Sequence, residues 1–290
     1  MSRTSRFAPS PTGRLHLGHA WSAVAAHALA REAPGGRFLL RIEDIDPGRS
    51  RTEHVDAILA DLAWLGIEHD GPVVFQSTRR ALYADALELL KAQGLVYPCF
   101  CTRADIAREV AASASAPHGS DGPVYPGTCR ALSADVRAER LAAEPHAWRI
   151  DMARAVAVAG PLAWHDALAG TVTADPAAQG DVVLARKDAG VSYHLAVTVD
   201  DAAQGVTDVV RGQDLFVATH VHRLLQALLE LPTPAYHHHP LLVGADGARL
   251  AKRHGAPTLE SMRVAGVDGA RLAAELREGR LPLGFGLASA

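Results

Sequence analysis

Apolar and polar positions in the first part of the chain alternate in a way that predicts strands followed by amphipathic helices. Short apolar runs at 6–9 and 38–42 are typical of strands. Apolar residues spaced along one helix face predict helices over 18–31, 52–65 and 80–93. A glycine follows the end of each predicted helix within a few residues. Strands and helices in this alternating order indicate a parallel α/β sheet.

The pattern changes near residue 98. Residues 111–122 are small and polar and predict a loop, 131–144 predict a helix, and 149–173 contain β-like segments. The α/β pattern then returns, with predicted strands at 181–185, 195–199 and 241–243, a predicted helix at 219–230 and a mainly helical tail from 258.

These changes divide the chain into one α/β domain and one insertion. We predict the first half of the domain at 1–98, the insertion at 99–185 and the second half at 186–240. A glycine-flanked loop and a short helical segment are predicted at 241–290.

The composition narrows the classes of protein and partner. Of 290 residues, 48% are hydrophobic and 21% are charged, which excludes a disordered chain, a collagen and a coiled coil. No apolar run approaches the roughly 18 residues of a membrane span, and no apolar signal core follows Met1. We therefore expect a cytoplasmic protein that has no membrane partner and acts as a monomer. The net charge of −3 excludes a strongly basic nucleic-acid coat but leaves a local RNA contact open.

Residues 9–19, PSPTGRLHLGH, place His16, Gly18 and His19 at the start of a predicted helix. A helix start presents unpaired N–H groups and the positive end of the helix dipole, which suits phosphate. Gly18 would let a flat ligand approach the backbone, and both imidazoles could donate to phosphate oxygens. An isolated His-x-Gly-His is more often a helix cap with two surface histidines, but the preceding PSPTG favours a phosphate site.

A cluster of cations lies near the end of the chain. Residues 249–255, RLAKRHG, include Arg249 and Lys252, and Lys252 is one of three lysines in the chain. Alone, such a segment is typical of a solvated basic loop. Together with the helix start, it predicts a clamp for a triphosphate or pyrophosphate.

Three acids, Glu43, Asp44 and Asp46, follow the predicted strand at 38–42. Ligands of open parallel sheets bind at the carboxyl ends of the strands. One of these acids could therefore pair with an ammonium group, and the others could cap the next helix.

The three cysteines of the chain, Cys99, Cys101 and Cys129, lie close together in the sequence. In a cytosolic chain this favours a metal site over a disulfide, and a set of reduced, buried thiols is the alternative. Zinc takes four ligands, and His118 or Tyr125 could supply the fourth. The run 237–239, HHH, cannot face one metal on an extended chain, so we expect structural or substrate-facing roles for these histidines.

Together these motifs resemble those of the class I aminoacyl-tRNA synthetases, in the glutamyl branch. Residues 16–19, HLGH, resemble the HIGH signature. Residues 249–253, RLAKR, resemble the KMSKS loop, with Arg, Ala and Arg replacing its first Lys, first Ser and last Ser. Further similar segments lie at 41–46, 181–196 and 210–214, and the resemblance covers about 5–260.

The resemblance implies a Rossmann-type catalytic domain with a zinc-bearing insertion. About 35 residues follow the second signature, too few for an anticodon-binding domain. The chain in this respect resembles the truncated glutamyl-Q tRNA(Asp) synthetases, which transfer glutamate to queuosine in the anticodon of tRNA(Asp). The expected small molecules are L-glutamate, ATP with Mg²⁺, and one structural Zn²⁺.

The resemblance also implies roles for individual residues. Those implied to bind ATP are His16, Gly18, His19, Arg249 and Lys252. Those implied to bind glutamate are Arg6, Phe7, Ala8, Pro9, Ser10, Glu43, Tyr193 and Arg211. Within this set, Arg6 and Arg211 would hold the γ-carboxylate, Glu43 and Ser10 the amino group, and Tyr193 would line the pocket. The implied zinc ligands are Cys99, Cys101, Tyr125 and Cys129.

Three other functions compete with this hypothesis. A minimal glutamyl-tRNA synthetase would charge tRNA(Glu) without an anticodon domain. A small-molecule nucleotidylyltransferase shares the His-x-Gly-His chemistry but needs no glutamate pocket. A zinc-containing RNA-binding module would catalyse no ATP–pyrophosphate exchange.

Overall fold

The computed structural model describes residues 2–106, 118–119, 122–188, 190–244 and 257–288. Its α-helices span Leu17–Arg31, Thr52–Trp64, Arg80–Ala92, Ala134–Ala143, Met152–Ala159, Tyr193–Ala203, Ala218–Leu228, Leu259–Val264 and Gly269–Arg277. Its strands span Thr4–Phe7, Arg37–Ile42, Val74–Phe75, Val96–Cys99, His118–Gly119, Gly122–Pro123, Ala147–Ile150, Ala163–Asp166, Gly170–Thr173, Val183–Ala185, Asp208–Gly212, Ala235–His239, Leu242–Gly244 and Phe285–Leu287. None of the helices in these ranges is long and apolar enough to cross a membrane.

The first three strands form a parallel sheet, in the order in which they occur in the chain. Thr4–Phe7 pairs with Arg37–Ile42, which pairs in turn with Val74–Phe75. Helix Leu17–Arg31 makes the first crossover and buries its apolar face against this sheet. Parallel strands require such crossovers, so this part confirms the predicted α/β fold with a parallel sheet.

A second group of strands lies on the other side of the first strand. Asp208–Gly212 pairs in parallel with Ala235–His239. The Thr207 N–H donates to the Thr4 carbonyl at 2.9 Å, which ties this group to the strand Thr4–Phe7. Strands thus lie on both sides of Thr4–Phe7. In doubly wound sheets, ligands bind at the carboxyl ends of the strands, at the point where the strand order reverses in this way.

Part of the predicted insertion belongs to this second group. Ala163–Asp166 runs parallel to Ala235–His239, with Asp166 opposite Tyr236. A separate antiparallel sheet is composed of Val96–Cys99, Ala147–Ile150 and Val183–Ala185, and the last two of these strands lie within the predicted insertion. A small core of its own, which includes Tyr97, Phe100, Tyr125 and two of the cysteines, packs beside that sheet.

The predicted strand at 195–199 is wrong, because these residues lie inside the helix Tyr193–Ala203. All five are buried, so the run shows no polar face. A short, wholly apolar segment has the same pattern in a buried strand and a buried helix. The Ser192 hydroxyl accepts from the Leu195 N–H at 3.5 Å and starts the helix.

Two other predictions need correction. The β-like region at 149–173 also contains the helix Met152–Ala159, which the Asp151 side chain caps. The helical tail ends in a short strand, Phe285–Leu287, paired with Leu242–Gly244. Most of the predicted loop at 111–122 lies outside the described residues.

Candidate active site

A cavity of about 460 Å³ opens where the strands Thr4–Phe7 and Asp208–Gly212 end. Its walls are the loop after the first strand, the start of helix Leu17–Arg31 and the start of helix Tyr193–Ala203. The sequence-predicted residues that line it are Arg6, Phe7, Ala8, Pro9, Ser10, His16, Gly18, His19, Glu43, Tyr193 and Arg211. Arg249 and Lys252 lie outside the described residues.

The cavity also contains residues that sequence reasoning missed, among them Trp21, Ser22 and Asp214. Helical spacing could have revealed the first two, since they follow Gly18 by three and four residues and share its face. His239 also lines the cavity, as a substrate-facing role would require. Its Nδ1–H donates to the Pro240 carbonyl at 3.0 Å, so its Nε2 accepts from the Ser22 hydroxyl at 2.7 Å.

The two signature histidines close the first turn of helix Leu17–Arg31. The Nδ1 atom of His16 accepts from the Gly18 N–H at 3.1 Å, and the Nδ1 atom of His19 accepts from the His16 N–H at 3.1 Å. A ring nitrogen that accepts carries no proton, so each neutral ring has its proton on Nε2. Both rings therefore carry an Nε2–H group beside a helix N-terminus, and a donor at such a place suits a phosphate oxygen.

Arg6 is a buried cation that shares its counterion, Asp201, with a second arginine. Its Nε lies 3.0 Å from Asp201 Oδ1, and its Nη1 donates to the Val210 carbonyl at 3.3 Å. The same carboxylate oxygen accepts from Arg41 Nη2 at 2.7 Å. Asp201 thus holds two arginines at the base of the cavity.

Glu43 is nearly buried at the cavity wall, 3.7 Å from Arg41 Nε. Its backbone N–H donates to the Pro9 carbonyl at 3.0 Å. Burial raises the pKa of Glu43 to about 7, against the opposing effect of the Arg41 and Arg6 charges. An ammonium group in the cavity would favour the ionised carboxylate.

Arg211 is a buried cation with neutral partners. Its Nη1 donates to the Tyr193 hydroxyl at 3.4 Å, its Nη2 to Thr219 Oγ1 at 2.6 Å and its Nε to His238 Nε2 at 3.0 Å. Within the described part of the chain, no carboxylate oxygen lies within 4.0 Å of its guanidinium nitrogens. A buried charge with no direct counterion is unfavourable, so this arrangement suits an anionic ligand.

The three cysteines meet in the small core of the insertion, with their Sγ atoms within 4.8 Å of one another. The Tyr125 hydroxyl lies 3.5 Å from the Sγ atoms of both Cys99 and Cys101. Two sulfur ligands of a tetrahedral zinc are about 3.8 Å apart, so the four donors fit such an ion. Tyr125 lies where a fourth ligand is needed, whereas the side chain of His118 lies outside what the structure describes.

The thiols differ in how easily they lose a proton. Burial raises the pKa of Cys101 to about 12. Burial acts in the same sense on Cys129, but hydrogen bonds from the Tyr125 hydroxyl and the Phe100 N–H outweigh it and lower the pKa of that thiol. A metal ion binds thiolates, so Cys129 is better prepared than Cys101 to bind one.

Residues 3–282 match the family model for class I tRNA synthetases (E and Q), catalytic domain. The chain belongs to this family. It is 52% identical over 272 residues to a glutamyl-Q tRNA(Asp) synthetase of Rhodobacter capsulatus, covering 91% of this chain and 96% of the relative. A second protein with that name, from Symbiobacterium thermophilum, is 49% identical over 273 residues, covering 91% of this chain and 82% of the relative.

Solved structures agree with this assignment. A glutamate tRNA ligase from Elizabethkingia meningosepticum, in complex with its amino acid, matches with a TM-score of 0.74 and 27% identity. The match covers 88% of this synthetase but 53% of the ligase, so the chain spans about half the length of that protein. A methionyl-tRNA synthetase of Mycobacterium tuberculosis shares the fold, with a TM-score of 0.61, over 94% of this chain and 63% of its own. The chain is thus a ligase of the aminoacyl-tRNA synthetase class.

Proposed function

We propose that the enzyme activates L-glutamate with ATP, without tRNA, and transfers the glutamate to the queuosine base at position 34 of the tRNA(Asp) anticodon. The observation that carries this proposal is the cavity that brings Arg6, Glu43 and Arg211 together with the helix start at His16. Relatives at 44–52% identity named glutamyl-Q tRNA(Asp) synthetase support the queuosine substrate.

In the first step the α-carboxylate of glutamate attacks the α-phosphorus of ATP, which is bound as its Mg²⁺ complex. An oxygen–phosphorus bond forms, the bond to the β-phosphate breaks, and pyrophosphate leaves. The attacking carboxylate is ionised at neutral pH, because the pKa of such groups is near 4, so no strong general base is needed. The site has to orient the reactants and stabilise phosphate charge.

The first turn of helix Leu17–Arg31 would supply that stabilisation. The Nε2–H groups of His16 and His19 and the backbone N–H groups beside them would donate to phosphate oxygens. Gly18 would let adenine lie against the backbone. Arg249 and Lys252 would clamp the triphosphate from the second signature loop.

The glutamate would lie between opposite charges. Arg211 and Arg6 would face its γ-carboxylate, with Tyr193 at the side of the pocket. Glu43 and Ser10 would receive its ammonium group. Because a carboxylate interacts with a guanidinium more strongly than a neutral amide does, this arrangement favours glutamate over glutamine.

In the second step a hydroxyl of the queuosine cyclopentenediol attacks the carbonyl carbon of glutamyl-adenylate. An ester bond forms, the bond to AMP breaks, and the hydroxyl proton is released. The bases of an RNA loop can be splayed and bound individually, which is compatible with an enzyme that has no strongly basic coat.

We further propose that Cys99, Cys101, Tyr125 and Cys129 hold one structural zinc ion. Their spacing supports this ligand set, and His118 is the alternative to Tyr125. When bound, zinc would cross-link the loops that carry these residues.

The test uses labelled glutamate, ATP and Mg²⁺ with three RNAs: tRNA(Asp) containing queuosine, the same tRNA with guanosine, and tRNA(Glu). We expect label on the queuosine-containing tRNA(Asp) alone, and glutamate-dependent ATP–pyrophosphate exchange without any tRNA. Label on tRNA(Glu) instead would identify a compact charging synthetase, which the match to glutamate tRNA ligases makes the second candidate. No label and no exchange would contradict both.

A further inference from the structure

The guanidinium of Arg211 is held by three neutral side chains that do not line the cavity. Its Nε donates to His238 Nε2 at 3.0 Å, its Nη2 to Thr219 Oγ1 at 2.6 Å, and its Nη1 lies 3.3 Å from His222 Nδ1. On the cavity side its neighbour is Tyr193, whose hydroxyl accepts from Nη1 at 3.4 Å. Nη1 is therefore the guanidinium nitrogen that contacts a side chain of the cavity wall.

The contact between Arg211 and His238 defines the state of the imidazole. An arginine Nε–H only donates, so the Nε2 atom of His238 must accept and carry no proton. The proton is on Nδ1, which donates to Asp166 Oδ2 at 2.8 Å. Burial and the charge of Arg211 lower the pKa of His238 to about 4, against the opposing effect of Asp166, so the ring is neutral at pH 7.

Asp166 is itself held rigidly. Its Oδ1 atom accepts from the N–H groups of Leu168 and Ala169, both at 3.0 Å, in the turn that follows the strand. Its Oδ2 atom accepts from the His238 N–H at 3.2 Å as well as from the imidazole. The carboxylate, the imidazole and the guanidinium are all nearly inaccessible to solvent. None of the carboxylate's bonds depends on water or ligand.

We propose that His238, held by Asp166, is a positioning residue that orients Arg211 toward the γ-carboxylate of glutamate and sets the preference for glutamate over glutamine. The proposal rests on the proposed function, since it names a determinant of that same site. Neither His238 nor Asp166 lines the cavity, so neither touches the substrate.

The physical reason is the competition among acceptors around Arg211. If His238 cannot accept, the Nε–H loses its partner in a dry environment, and only the contacts of Nη1 and Nη2 with Tyr193, His222 and Thr219 still hold the guanidinium. The orientation of the guanidinium toward the cavity is then no longer fixed at Nε. A glutamate carboxylate loses a charge-assisted pair, whereas the neutral amide of glutamine has less to lose.

The experiment measures ATP–pyrophosphate exchange with glutamate and with glutamine in the full-length enzyme. For His238→Leu we expect KM for glutamate to rise about tenfold to a hundredfold, with the glutamate-to-glutamine ratio of kcat/KM falling by a similar factor. KM for ATP should stay within about twofold, because the helix start that faces the nucleotide is unchanged. His238→Gln retains an acceptor for Arg211, so it should restore most of the loss.

Asp166→Asn provides a second route to the same result. Its amide NH₂ would face the Nδ1–H of His238, so two donors would meet. This favours the ring tautomer that has its proton on Nε2. That proton would then face the Nε–H of Arg211, and the hydrogen bond between the two residues would be lost. We expect an increase in glutamate KM like that of His238→Leu, and little additional effect when the two are combined. Should His238→Leu not fold, this variant and His238→Gln test the same prediction.

The matched control is His237→Leu. His237 precedes His238 on the same strand, faces away from it and lies 2.8 Å from Asp208 Oδ1, so its loss should leave glutamate KM within about twofold. Two results would overturn this inference but leave the proposed function standing. One is a folded His238→Leu enzyme whose glutamate KM and selectivity are unchanged. The other is a His238→Gln enzyme whose glutamate KM is as high as that of His238→Leu. A wild-type enzyme with no glutamate-dependent exchange would overturn the proposed function as well.

Discussion

Glu43 illustrates how a single buried group connects the interior to the substrate. Its carboxyl group is nearly buried and lies 3.7 Å from the Arg41 guanidinium, whose charge Asp201 also shares at 2.7 Å. Asp200 lies 3.9 Å from the same guanidinium, so three acids share the charge of Arg41. Burial raises the pKa of Glu43 to about 7. A carboxyl group in this state gains from a cationic ligand, which is what the amino group of glutamate would provide.

We predict that KM for glutamate falls as pH rises through about 7. A carboxyl group with a raised pKa is neutral below that value, and only its ionised form pairs with an ammonium group. Between pH 8 and pH 6 the ionised fraction drops about tenfold, so KM should rise by about that factor. Steady-state exchange assays at several pH values measure this.

Glu43→Gln is the comparison for that profile. It should raise KM for glutamate about tenfold to a hundredfold and make KM independent of pH over the same range. KM for ATP in wild type serves as the internal control. A flat wild-type profile for glutamate would contradict the assigned role of Glu43.

The start of helix Leu17–Arg31 combines a structural and a chemical task. The His16 and His19 rings satisfy two of the first N–H groups of the helix through their Nδ1 atoms. The same bonds determine the tautomer with the proton on Nε2. A Cβ atom added at Gly18 would lie 3.0 Å from His16 Cε1, so a larger residue there would displace the ring or be displaced by it.

We expect Gly18→Ala to separate activity from stability. Alanine gains about 1 kcal/mol of helix propensity, which offsets part of the cost of a displaced cap of about 1 kcal/mol, so Tm should change by only a few degrees. Displacement of the His16 ring should lower kcat/KM for ATP about tenfold or more. Gly286→Ala is the control, because a Cβ atom there meets Val243 at an ordinary 3.7 Å. An unchanged exchange rate in Gly18→Ala would refute this role.

At the scale of the whole molecule, the cysteine cluster and the cavity belong to different cores. The cysteines pack with Tyr97 and Phe100, whereas the helix that carries His16 packs in the large core of the parallel sheet. Asp181 ties the insertion together: it accepts from the Tyr97 hydroxyl at 2.5 Å and pairs with Arg130 at 3.0 Å. The insertion's own core is small, and a small core depends strongly on cross-links.

We predict one zinc ion per chain and a largely local effect of its loss. Cys129→Ser should lower the zinc content well below one and lower Tm by several degrees, while glutamate-dependent exchange remains within about threefold of wild type. Elemental analysis, calorimetry and the exchange assay measure these. All three cysteines belong to the cluster, so the control is chelation of wild type followed by zinc add-back. Purified wild type without zinc would refute the metal site.

The sequence alone determined the features that depend on neighbours along the chain. Helical spacing located Leu17–Arg31, Thr52–Trp64 and Arg80–Ala92 to within two residues at each end, because amphipathic faces and terminal glycines are local signals. Parallel strands were predictable because short strands alternate with these helices. The order of the signature segments was enough to indicate the family, which the comparisons confirm.

Only the tertiary structure decided what depends on distant residues. The segment 195–199 is helical, but its five residues are all buried, so the sequence lacks the period that would distinguish a helix from a strand. The strand Ala163–Asp166 joins the sheet of Asp208–Gly212 and Ala235–His239 through a partner 70 residues away, Tyr236 opposite Asp166. That pairing brings Asp166 to His238, and the next strand brings His238 to Arg211. Contacts of this kind produce no repeating pattern in the sequence. Each is made by a single residue, and the tertiary fold determines which distant residue it meets.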